Sequence, residues 1–207
     1  MSRFSNLTVS ELLAALSSAD PTPGGGTASA IAGAMGVSLL IMVTGLAKSK
    51  TNTDEEKASL AAARGALEPV RAELMRLADA DTEAFDEVMA AYRRPKGTDD
   101  EKAARTEAIQ GALRTATTTP LETLRSCAEA MRHGVAVAAS GNRSASSDVG
   151  VAVGILEAAA AGAEANVRTN LPSLNDEAFK ADAQAEIARL TAATAASSRA
   201  ARLALSA

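Results

Sequence analysis

A chain of 207 residues with one cysteine, no tryptophan and 2% aromatic residues cannot fill a core with rings or staple it with an internal disulfide. Its core must come from Ala, Leu, Val and Ile, whose small area per side chain favours long helices packed closely over a sheet sandwich. A formal net charge of −4 excludes a general electrostatic attraction for nucleic acid or an anionic membrane, and Cys127 alone cannot build a Cys-based zinc cluster.

The first sixteen residues, MSRFSNLTVSELLAAL, are polar throughout and lack the apolar centre of a signal peptide, so a cytoplasmic location is expected. Thr-Val-Ser-Glu reads as a capping box that starts a short helix after Thr8 or Ser10, ending before Pro21. From Pro21 to Ala47 no residue is charged. That stretch is long enough to span a bilayer, yet its Gly, Ala, Ser and Thr content and the lack of flanking basic or aromatic belts fit a helix buried in a bundle. This second helix starts among the glycines and runs to about Ser49.

A third helix is expected from about Asp54 to Tyr92, with a bend at Pro69. Arg93–Asp100 forms a turn in which Thr98 or Asp99 caps the fourth helix. Ile109, Leu113 and Ala116 then recur at helical spacing before Thr117–Pro120, where three β-branched residues ahead of a proline predict a kink or a break. Helix continues to about Ala139. Ser140–Asp148 is a loop, the next helix spans roughly Ser147 to Thr169, and LPSLND turns into a last helix ending near Leu205. The expected architecture is a single all-α domain over residues 1–207, a bundle of five to six long helices with no sheet. Small-residue runs such as Glu157–Asn166 suit close helix contacts within a subunit or between two copies.

Three stretches carry chemistry. In PTPGGGT, Gly24, Gly25 and Gly26 permit positive φ or a close approach without a Cβ, and their amides add to the positive end of a helix dipole. Such an entrance binds an anionic or carbonyl oxygen, or serves as a packing turn. No Gly-Lys-Ser/Thr follows and no strand precedes, so neither a phosphate loop nor a dinucleotide fingerprint fits. In DADTEAFDEVMAAY, Asp81 and Phe85 share a helix face, which Met89 and Tyr92 extend. A carboxylate beside a ring can hold a flat cationic heterocycle, and the same pattern describes an ordinary amphipathic helix. In GNRSASSDVG, Asp148 sits in a first helical turn, where the dipole stabilises its charge. Asn166 and Asn170 share a face of that helix, but Asp148 and Asn166 are separated by roughly 27 Å at the α-helical rise. They can serve different parts of a long ligand or paired sites across a dimer. Lys48, Lys50, Arg93, Arg94 and Lys96 can receive an anionic tail or simply solubilise helix ends. His133, the only histidine, completes no catalytic triad and no metal set.

Together PTPGGGTASAIAGAMG, DTEAFDEVMAAYRRPKGTDDEKAAR, GNRSASSDVGVAV, and NVRTN with its following ND resemble the cyclodeaminase/cyclohydrolase family of folate enzymes, in family order from Pro21 to Asp176. The central piece is most similar to the cyclohydrolase branch. The resemblance implies an all-helical homodimer that binds folate in a cleft near the subunit interface. It further implies conversion of 5,10-methenyltetrahydrofolate and water to 10-formyltetrahydrofolate, without a metal or redox cofactor. The rival activity is formiminotetrahydrofolate cyclodeamination, and a folate binder without turnover is a third reading. On this resemblance Asp81, Asp148 and Lys50 are the expected catalytic groups: a carboxylate stabilises the amidinium cation or activates water, and Lys50 moves a proton. Pro23, Gly24, Gly25, Gly26, Phe85, Lys96, Asn142, Asn166 and Asn170 are the expected substrate contacts. The family's Gly-Lys-Lys-Lys-Tyr-like segment is replaced here by AKSKTN, Ala47–Asn52, in which Lys50 matches the first lysine and the neighbouring basic and aromatic residues are missing.

Overall fold

Three helices begin with the same device. Thr8, Thr53 and Thr98 each accept an amide hydrogen bond from a glutamate three residues on, and Glu11, Glu56 and Glu101 return the bond to the threonine's own amide. This satisfies donors that a helix start leaves open, and it fixes where each helix begins. The computed structural model describes residues 4–46 and 53–206, and within them the chain folds into six α-helices. They are α1 (Val9–Leu16), α2 (Gly25–Gly45), α3 (Asp54–Tyr92), α4 (Asp99–Ser140), α5 (Ser146–Asn170) and α6 (Glu177–Ser206). No strand occurs among the described residues.

The all-α expectation holds, and the helix limits differ from the sequence reading in instructive ways. The end expected for α2, about Ser49, lies outside the described residues, as do Lys48 and Lys50. Neither internal proline interrupts its helix: α3 passes through Pro69 and α4 through Pro120. The loop expected over Ser140–Asp148 is shorter. Gly141 ends α4, Asn142 caps a 3-10 turn at Arg143–Ala145 by accepting from the Ser144 amide, and α5 follows at once. Asp176 accepts from the Phe179 amide and binds Arg114 at 2.7 Å, so the Asn-Asp pair after α5 starts α6 and ties it to α4.

Helix α2 is the axis of the bundle, packed against α3, α4 and α5, while α6 covers α4 and α5. By length and composition, α2 and the stretch Arg143–Ser173 are both apolar enough to cross a membrane, but 61% of the α2 window is buried inside the protein. Small residues bring α2 close to α5. A Cβ on Gly36 would lie 2.9 Å from Leu156 Cγ and 3.1 Å from the Ala152 carbonyl, closer than packed side chains come. One core cluster draws Val37 and Leu40 from α2, Leu67 and Leu74 from α3, Leu124 and Met131 from α4, Leu156 from α5 and Ile187 from α6. Cys127 is buried in it, and burial pushes its thiol up to about 12, leaving it inert.

Candidate active site

The entrance of α2 is built by a side chain from another helix. Gly24 is the N-cap, with extended backbone and no side chain to close the helix start. Asp81, midway along α3, supplies the missing acceptor: its Oδ2 takes the Thr27 amide at 2.8 Å and the Thr27 hydroxyl at 3.1 Å. The Thr27 hydroxyl also lies 3.4 Å from that of Thr82, and both threonines are buried.

Gly26 explains why the motif needs glycine. A Cβ there would sit 2.1 Å from Asp81 Oδ1, inside the carboxylate itself. None of the glycines has positive φ, so of the two uses open to them, close approach is the one realised. The other carboxylate oxygen, Oδ1, has no protein donor among the described residues. Burial raises the Asp81 pKa above the ordinary carboxylate value, and the two Thr27 bonds pull against that rise without cancelling it.

Asp81 faces a cavity of about 330 Å³, at the small end of the ~300–1,000 Å³ range of ligand sites and large enough for a bicyclic ring. Its walls are Pro21, Thr22 and Gly24–Gly26 from the α2 entrance, Phe85 and Val88 one and two turns beyond Asp81, Leu113 and Ala116 from α4, and Asn166 and Asn170 from the end of α5. Both asparagines have their amide nitrogens engaged: Asn166 Nδ2 donates to the Gly162 carbonyl and Asn170 Nδ2 to the Ala116 carbonyl, each at 2.8 Å. A carbonyl can only accept, so this assigns nitrogen and oxygen in each carboxamide. Each asparagine keeps its oxygen and a second N–H, so the cavity offers acceptors at Asp81 Oδ1 and the two amide oxygens beside donors from the asparagines and the first-turn amides of Gly25 and Gly26. It suits a ligand with both donor and acceptor edges and a positive charge near Asp81. Asp81 is the only titratable side chain lining it among the described residues.

The structure therefore brings together Gly24, Gly25, Gly26, Asp81, Phe85, Asn166 and Asn170, drawn from three helices. The stripe from Asp81 continues inward through Val88, while Met89 and Tyr92 are exposed. Four other expected contacts stand apart. Pro23, in a cis peptide with Thr22, is buried behind the cavity wall, and Lys96 is exposed in the turn before α4. Asn142 caps the turn after α4, and Asp148 lies in the first turn of α5, at the end of that helix opposite Asn166. Lys50 lies outside the described residues. His133 rests 2.9 Å from Glu129, away from the cavity. Sequence reasoning missed Pro21, Thr22, Thr27, Val88, Leu113 and Ala116 as site residues; Pro21, Thr22 and Thr27 carried a signal, as the flanks of the glycine run. A larger hollow between α3 and α4 is lined by Arg76, Glu122 and Arg114, which are engaged in ion pairs, and by Glu83 and Glu87. Among the described residues no group of three His, Cys, Asp or Glu side chains is placed to hold a metal ion.

The fold and site define an all-helical protein with a half-buried carboxylate at a glycine-lined helix entrance. The family model described as formiminotransferase-cyclodeaminase matches residues 8–189, and this chain belongs to that family. It is 43% identical over 187 residues to the methenyltetrahydrofolate cyclohydrolase of Methylorubrum extorquens, covering 90% of each chain. It is 34% identical to the pig formimidoyltransferase-cyclodeaminase over 81% of its own length, and spans 31% of that longer protein. Among solved structures, the formiminotetrahydrofolate cyclodeaminase of Thermotoga maritima superposes with a TM-score of 0.86 at 26% identity, covering 97% of this chain and 96% of that one.

Proposed function

We propose that this protein hydrolyses 5,10-methenyltetrahydrofolate to 10-formyltetrahydrofolate, with Asp81 as the acid–base group. The observation that carries this reading is the division of labour within one carboxylate: Oδ2 is held by Thr27, and Oδ1 is free in a cavity where it is the only titratable group among the described residues. The substrate's bridging carbon carries an amidinium cation, which an ionised Asp81 attracts. Water adds to that carbon as Oδ1 takes one of its protons, and the C=N π pair returns to nitrogen. The C–N5 bond then breaks, Asp81 returns the proton to N5, and the hydroxyl proton leaves to solvent as the formyl C=O forms. Cationic substrate and water thus become neutral product and one proton. The acceptor oxygens of Asn166 and Asn170 match the donor edge of the pterin ring, and no cofactor is needed for this sequence of steps.

The similarity to the Methylorubrum cyclohydrolase over nearly the whole of both chains supports this activity over the formimino reaction. The Thermotoga cyclodeaminase, similar in fold along its full length, keeps that second reading in view. Purified protein given each folate separates them. Loss of the methenyl chromophore is the expected result, and ammonia release from the formimino compound without methenyl hydrolysis would reverse the assignment. Binding without either reaction would point to the non-catalytic reading raised by the AKSKTN segment and Lys50.

We also infer a homodimer, in the cytoplasm. Met35, Met42 and Leu46 form an exposed apolar line on α2, and Val151 on the adjoining α5 is 53% exposed, beside Gly150 and Gly154, which have open space above them. Such a face on a core helix fits a second copy of itself. Antiparallel pairing of two α5 helices would carry the Asp148 end of one towards the Asn166 end of the other, which supports a role for Asp148 across the interface. Met35→Glu combined with Val151→Glu should convert the dimer to monomer in light scattering. A native-sized assembly from that variant would move the interface elsewhere.

A further inference from the structure

Proline at position 120 removes the amide that would donate to the Ala116 carbonyl one turn earlier. That carbonyl is satisfied from outside the helix, by Asn170 Nδ2 at 2.8 Å. The three threonines before the proline turn their hydroxyls back onto α4, Thr117 to Leu113 at 2.7 Å, Thr118 to Arg114 at 2.9 Å and Thr119 to Thr115 at 3.0 Å. Of this run of carbonyls, Ala116 is the one whose side-chain donor comes from another helix. Ala116 and Asn170 both line the cavity that holds Asp81. With one N–H committed, the Asn170 carboxamide is held in one orientation and keeps its oxygen and second N–H for a ligand.

We propose that Pro120 is a positioning residue for substrate: by withholding one backbone hydrogen bond from α4, it gives Asn170 a fixed anchor and so orients the rest of the Asn170 carboxamide at the cavity. The ligand's identity here rests on the folate reading above, whereas the Pro120–Asn170 coupling stands on geometry alone. A helix-breaking residue in the middle of a 42-residue helix thereby has a use: the bond it forgoes is lent to the site.

The test uses wild type, Pro120→Ala, Asn170→Ala and the double variant, each melted without ligand and assayed for turnover. In Pro120→Ala the new amide competes with Asn170 for the Ala116 carbonyl and loosens the anchor, so Tm rises while KM for the methenyl substrate increases about three- to tenfold, the worth of one hydrogen bond, with kcat changed much less. Asn170→Ala should lower Tm in the wild-type background, where it orphans a carbonyl, and leave Tm unchanged in the Pro120→Ala background. The KM increases of the two single variants should not add in the double. An unchanged KM in Pro120→Ala overturns the proposal, as does an equal Tm loss from Asn170→Ala in both backgrounds. Because the melts need no substrate, a chain that turned over no folate would lose the folate reading and still report the coupling.

Discussion

Asp81→Asn should lose turnover by about 10²–10⁴-fold, the usual contribution of a positioned acid–base group, and melt at a higher temperature than wild type at neutral pH. The first effect follows from chemistry: a carboxamide accepts the Thr27 bonds but takes no proton from water and does not balance a cationic substrate. The second follows from burial. Desolvation raises the Asp81 pKa in the native state, so the native protein holds that proton more tightly than the unfolded chain does. Stability contributed by this group is therefore present below the unfolded-state pKa and is lost as pH rises through the higher native value. At neutral pH the wild type carries the full cost of a half-buried charge, and asparagine does not. The advantage of the variant should shrink on acidification, as denaturant melts at mildly acidic and neutral pH would reveal. The same raised pKa should set the acid limb of wild-type kcat/KM above the ordinary carboxylate range. Full activity in Asp81→Asn would remove Asp81 from the chemistry.

Gly26→Ala is expected to keep the fold and lose about 10²-fold or more of the activity, through displacement of a carboxylate it does not chemically alter. A methyl group at this position would lie within 2.6 Å of all three atoms of the Asp81 carboxylate, so the side chain must swing away and release Thr27. The helix loses a cap worth about 0.5–2 kcal/mol and gains about 1 kcal/mol from replacing a helical glycine by alanine. These nearly offset, which predicts a melting temperature close to wild type beside a large kinetic defect. Circular-dichroism melts and turnover on the same sample read both. Wild-type rates from Gly26→Ala would mean that Asp81 does not act from the place it occupies here.

Much of the scaffold was legible because its signals are local. Thr8 and Thr98, each followed three residues later by glutamate, announce helix starts through bonds that span a single turn, and the helices begin at the next residue; Thr53 forms the same box at the start expected near Asp54. The break allowed for at Pro120 does not occur, for the opposite reason. Pro120 was expected to kink or break α4, but whether a helix tolerates a missing amide depends on who satisfies the freed carbonyl, and that donor comes from a residue 54 positions away. Half of the site was legible in the same local way, since GGGT, Asp81–Phe85 and Asn166–Asn170 each lie within one or two helical turns. Asp148 and Asn142 entered the expected site through the family resemblance, and the separation of Asp148 from Asn166 was legible from the helical rise: α5 runs unbroken from Ser146 to Asn170 and holds the two at opposite ends.

The sequence by itself determined the helical class, the helix starts and the presence of a glycine-bare entrance, because capping, periodicity and steric freedom act over a few residues. Only the tertiary structure decided what that entrance is for. Gly26 is glycine because Asp81 from α3 occupies the space of its Cβ, and Asn170 is tied to α4 at the Ala116 carbonyl, the one whose backbone donor Pro120 lacks. Both facts are contacts between helices, and no spacing along a single helix encodes the partner that will be packed against it.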